Sequence, residues 1–87
     1  MTTISVRTEV LSQIERVAVE QNRSLAPLLD SLPLLDSGLD SLCLAVIVAR
    51  LEDALGVDPF STAEETPFPV TVADFIAAYE NAKAAQA

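Results

Sequence analysis

This chain of 87 residues contains no histidine, a single cysteine and only two glycines. A serine or cysteine nucleophile usually needs an adjacent base to take its proton, so the lack of histidine argues against a hydrolase of that kind. Cys43 cannot close an internal disulfide, has no Lys, Arg or His near it in sequence, and reads as a small helix residue. Nor is there a Cys/His cluster for zinc, and the Asp and Glu residues are scattered along polar faces without the spacing of a calcium loop. With glycine only at positions 38 and 56, no glycine-rich phosphate loop exists. Basic side chains are scarce too, 5 against 13 acidic ones, for a formal net charge of -8. That balance opposes binding to nucleic acid or an anionic membrane and favours basic partner surfaces, although keeping a small apolar domain in solution is an equal account of it. Long apolar runs are missing as well. The longest, Leu42 to Ala49, falls far short of the roughly 20 residues that span a bilayer.

What is present is enough for one small core. An apolar fraction of 51% argues against disorder, and residues 1-87 are expected to form a single domain near the size at which a core holds without crosslinks. Met1-Thr2-Thr3-Ile4-Ser5 has no basic segment leading into an apolar one, so no secretory signal is visible and a soluble, cytoplasmic protein is expected.

Three segments carry helical periodicity. From about Ile4 to Gln21, Val10, Ile14 and Val17 with Leu11 and Ala18 form an apolar stripe, and Glu9, Arg16, Glu20 and Arg23 are among the polar positions; Thr3, Ser5 and Thr8 are all candidate caps. Near Val72 to Ala84 the stripe is Val72, Phe75, Ile76 and Tyr79, and Thr71-x-x-Asp74 resembles a capping arrangement. Between them, residues 41 to 55 lack Gly and Pro, Leu44, Ile47, Val48, Leu51 and Leu55 recur on one face, and Gly56 supplies a stop. Ser61-Thr62-Ala63-Glu64 fits a capping box, with Pro67 and Pro69 leaving room for only a short third helix near Ser61 to Thr66. The expected fold is all-α, a small four-helix bundle of three longer helices plus one short one.

The second of these helices is preceded by an apolar yet irregular loop, Leu28 to Gly38, broken by Pro33 and Gly38. Asp40 has the side chain of an N-cap, which puts Ser41 in the first helical turn, where backbone N–H groups and the positive helix end favour a phosphate. Asp-Ser also occurs at Asp30-Ser31 and Asp36-Ser37. Ser31 lies just ahead of Leu32-Pro33, which disfavours a helix start, and Ser37 precedes Gly38 and reads as a turn.

Leu35-Asp36-Ser37-Gly38-Leu39-Asp40-Ser41-Leu42 resembles the modification motif of acyl carrier proteins, and the resemblance extends over nearly the whole helix order. It implies a covalent 4'-phosphopantetheine, taken from coenzyme A by a phosphopantetheinyl transferase and attached to Ser41, with Asp40 as the flanking motif residue. The arm's thiol then holds acyl groups as thioesters for a fatty-acid, polyketide or other specialised pathway. The implied partners are an acyl- or aminoacyl-activating ligase or transferase and downstream synthase or acyltransferase enzymes, met by a monomer that is not itself an enzyme. The implied acyl-chain lining is Leu44, Ile47, Val48, Phe75 and Ile76, for each of which ordinary core packing is the simpler account.

Placed at 100° steps, Leu42, Val46 and Ala49 lie opposite the core stripe, so they form a candidate docking strip with Asp53, unless the long loop folds over them. Many carriers of fatty-acid synthesis show acids in the first turns after the modified serine. Here Cys43 and Val46 stand there, and Glu52 and Asp53 come only near the end of the helix, which points to a specialised pathway with partly apolar docking. Two other readings share these features. One is an aminoacyl or peptidyl carrier, identical in fold and different in cargo; the other is an unmodified helical interaction module, of which a small regulatory subunit is a variant.

Overall fold

A computed structural model describes residues 5–62 and 69–86. Helix α1 spans Val6–Glu20 and begins at Ser5, whose hydroxyl accepts from the Thr8 N–H at 3.4 Å. Of the three candidate caps Ser5 therefore does the work, and Thr3 lies outside the described residues. Val10, Ile14, Val17 and Ala18 face inward. Past the end of α1, Asn22 takes the left-handed conformation (φ 56°), Asn22 N–H donates to the Val19 carbonyl at 3.2 Å and Arg23 N–H to the Ala18 carbonyl at 2.8 Å. This paired closure satisfies carbonyls that the helix end leaves without partners. It also moves Arg23 off the helix, where the periodic pattern placed it among the polar positions of α1.

Helix α2 spans Ser41–Leu55, bounded by Asp40 and by Gly56 at φ 75°. Its fully inward residues are Cys43, Ile47, Leu51 and Leu55. The expected stripe is thus rotated: Leu44 and Val48 are only half-buried, and Cys43 is 1% exposed. The reason lies in the packing. α2 lies chiefly along α1, and the side of α2 that carries Leu44 and Val48 borders an open groove. An Arg50–Glu20 ion pair ties α2 to α1.

The short helix α3 spans Pro59–Thr62, beginning before the expected Ser61. The Asp58 carboxylate accepts from the Phe60 N–H at 3.0 Å, and Pro59 stands at the first helical position, where a missing N–H costs nothing. Glu64, the other half of the expected capping box, and Thr66 lie outside the described residues. Helix α4 spans Val72–Gln86, and its start is the reciprocal arrangement anticipated from the sequence. Asp74 N–H donates to Thr71 Oγ1 at 3.1 Å, and Thr71 N–H to Asp74 Oδ2 at 3.2 Å.

The middle of the long loop is pinned to the start of α4. Leu34 N–H donates to the Val70 carbonyl at 2.8 Å, and Val72 and Ala73 N–H donate to the Leu32 and Asp30 carbonyls, each at 3.0 Å. These bonds fill donors that the first turn of α4 would otherwise leave unpaired. A 3-10 turn over Leu34–Asp36 follows, with Leu34 in the core. Leu25, Leu28 and Leu32 pack against that core, so the apolar loop sequence acts as its lid. Among the described residues no helix is long and apolar enough to cross a membrane.

Candidate functional site

The loop delivers Asp40 in extended conformation (φ -99°, ψ -179°) to the start of α2, where Oδ1 accepts from the Cys43 N–H at 2.8 Å. That bond is the chief reason the Asp40 carboxyl sits below the usual carboxylate range, with the Arg23 guanidinium adding to it. Arg23 reaches over from the end of α1 and pairs with Asp40 Oδ2. The first turn of α2 therefore combines a fixed carboxylate, a guanidinium and the positive helix end.

Ser41 follows immediately and is exposed. The other two serines of Asp-Ser pairs are placed differently. Ser37 is fully buried, donates from Oγ to the Leu34 carbonyl at 2.6 Å and accepts from the Leu39 N–H at 3.3 Å, so its hydroxyl holds the loop together. Ser31 is exposed in a turn before Leu32 and Pro33, with no helix behind it.

Beside Ser41 opens a groove of about 350 Å³ lined by Leu34, Ser41, Leu44, Ala45, Val48, Phe60, Pro69 and Phe75. Among the described residues its only polar side chain is that of Ser41, at the mouth. Ser41, Ala45 and Val48 share one face of α2, so the groove follows that helix for about 10 Å at 1.5 Å per residue. Phe60 and Phe75, both in its lining, stack on each other with centroids 5.9 Å apart and rings 9° from parallel.

Residues 8–84 match the family described as phosphopantetheine attachment site. The chain belongs to this family of phosphopantetheine carriers. None of the curated proteins or solved structures compared with it matches. A carrier of this kind is not itself an enzyme, and its cofactor is covalent 4'-phosphopantetheine, whose terminal thiol supplies the thioester chemistry when the arm is attached. The residues at the start of α2 suit such a group: an accessible hydroxyl to esterify, a helix N-terminus that favours the phosphodiester, and a guanidinium next to it.

The residues singled out in the sequence are distributed over three places in this carrier. Leu44, Val48 and Phe75 line the groove, whereas Ile47 and Ile76, 0% and 1% exposed, are packed in the core behind it. On the outer face of α2, Leu42 is 63% exposed and Ala49 and Asp53 are exposed, while Val46 is half-buried against the core. The loop does not cover Leu42 or Ala49. Sequence reasoning missed Leu34, Ala45, Phe60 and Pro69 as groove residues and Arg23 as the neighbour of Asp40. Only Arg23 had a legible signal, since it is a cation directly after an Asn that can close a helix.

Proposed function

We propose that Ser41 is the residue that carries the 4'-phosphopantetheine and that the chain is an acyl carrier, sheltering part of an apolar acyl chain in the groove beside that serine. One observation carries the reading: the exposed serine behind the Asp40 cap stands at the mouth of an apolar groove, and neither Ser31 nor Ser37 does. Ser37 would have to give up two hydrogen bonds and leave the core to be modified. The lining includes no charged side chain among the described residues. An α-ammonium would be desolvated there without a partner, which supports an acyl over an aminoacyl cargo.

The carrier's contribution is positional. Tethering a reactive acyl group raises its effective concentration at each enzyme and saves an independent binding event. Leu42, Ala49 and Asp53, with a smaller share from half-buried Val46, offer an apolar strip ending in a carboxylate, which suits enzymes that dock partly through apolar contact in a specialised acyl pathway. The phosphopantetheinyl transferase and an acyl-activating ligase or transferase are the first two partners this reading requires.

The test is intact-protein mass spectrometry after incubation with coenzyme A, magnesium and a broad-specificity phosphopantetheinyl transferase. Wild type and Ser31→Ala are expected to gain one phosphopantetheine, and Ser41→Ala none. A folded Ser41→Ala protein that still gains the mass would overturn the assignment.

A further inference from the structure

The phenol oxygen of Tyr79 is buried without a hydrogen-bond partner, and no other buried side-chain polar atom among the described residues is in that position. A hydroxyl taken out of water and left unpaired forfeits its full hydration, whereas phenylalanine would pack the same ring without that cost. The ring itself is well accounted for. Tyr79 on α4 lies edge-on to Phe75 at 5.3 Å and to Phe60 at 5.7 Å, centroid to centroid. Those two rings are the aromatic wall of the groove, so Tyr79 stands directly behind it.

The hydroxyl keeps its proton. Burial first, then the carboxylates of Asp58 and Glu52, hold the phenol proton on well above its ordinary range. The phenol is therefore a protonated donor without a partner, set behind the two rings of the groove wall. Between it and the open space stand Phe75, fixed in α4, and Phe60, half-buried on a helix of four residues. Phe60 sits on the shortest α-helix among the described residues.

We propose that Tyr79 is a polar stop behind the aromatic wall of the groove: when Phe60 gives way, it donates a hydrogen bond to a keto or hydroxyl oxygen of an acyl chain that has reached Phe75, so that the carrier favours oxygen-bearing chains over fully reduced ones of equal length. The inference rests on the acyl-carrier reading and adds to it a class of cargo. Discrimination of this kind is strong where a buried donor is satisfied by one ligand and left unpaired by its analogue.

The experiment loads wild type and Tyr79→Phe, on the full chain, with non-hydrolysable pantetheine analogues bearing octanoyl, 3-oxooctanoyl or 5-oxooctanoyl groups, the keto carbons labelled with carbon-13. Melting temperature and the carbon-13 shift of the ketone are read for each. In wild type, at least one oxo chain is expected to raise Tm by several degrees more than octanoyl, with its ketone resonance moved downfield. Tyr79→Phe should lose both effects and keep the gain from octanoyl. Oxo chains no better than octanoyl in wild type, or an advantage that survives in Tyr79→Phe, would overturn the proposal. A loaded carrier that no chain stabilises also overturns it, through the occupation of the groove, and leaves attachment at Ser41 standing. Absence of any added mass at Ser41 would remove the carrier reading itself.

Discussion

Gly38→Ala is the substitution whose cost the structure defines most sharply. Gly38 adopts φ +99°, and a Cβ built there would lie 2.2 Å from the carbonyl oxygen of Ser24. Both partners in that contact are tied to backbone, so no rotamer change relieves it. Left-handed strain in a non-glycine residue costs about 1–3 kcal/mol. Separating the two loop strands would also break the bond from the Ala26 N–H to the Ser37 carbonyl, 3.0 Å long, at about 1 kcal/mol. The total is about 2–4 kcal/mol, which for a domain this small lowers Tm by on the order of 10–25 °C. Gly56→Ala is the internal control, because φ there is +75° but no atom stands within 4 Å of the added Cβ. It carries the strain alone, roughly 1 kcal/mol. Thermal and urea unfolding of both variants measure the difference. Because Gly38 lies two residues before Asp40, Gly38→Ala should also slow phosphopantetheine transfer more than Gly56→Ala. A Gly38→Ala protein as stable as Gly56→Ala would refute the close-contact argument.

Three further outcomes are expected. The Asp40 carboxyl is lowered by the Cys43 N–H and then by Arg23, so its stabilisation is complete above the unfolded carboxylate range, about pH 4, and is lost as pH falls through the folded value below it; Tm measured from pH 6 to pH 2 should fall less steeply in Asp40→Asn, and parallel curves would contradict this. Arg23 pairs with Asp40 next to Ser41, so on the proposed attachment at Ser41 the phosphodiester should lower Tm more in Arg23→Gln than in wild type, with Lys restoring part of the difference and high salt reducing it; an identical apo-to-holo change in both proteins would assign Arg23 a purely structural role. Ile47→Ala, at a fully buried position, should cost about 2–5 kcal/mol, whereas Val48→Ala, half-buried on the groove, should cost about 1 kcal/mol and instead reduce the Tm gained on octanoylation; equal costs in urea unfolding would mean that the groove is ordinary core.

What the sequence determined by itself is local. The start of α2 at Asp40, its stop at Gly56, the Thr71/Asp74 capping of α4 and the fact that Ser41, unlike Ser31 and Ser37, opens a long helix all rest on interactions spanning at most about four residues, the range over which capping side chains and helical turns act. The helix that opens near Ser61 in the sequence opens at Pro59 in the structure because an equally local signal, Asp58 with Pro59, lies one turn earlier. Only the tertiary structure decided which face of α2 turns inward. Residues 42 to 49 are apolar all round, so periodicity cannot choose between Cys43 and Leu44; the packing of α1 along one side and the groove on the other makes Cys43 core and Leu44 lining. The same holds for Arg23 on Asp40, the Ser24 carbonyl against Gly38 and the phenol of Tyr79 behind Phe60. Each joins residues fourteen to nineteen positions apart across a loop or a pair of helices, and a side chain's partner over such a distance is set by where the helices come to rest against one another.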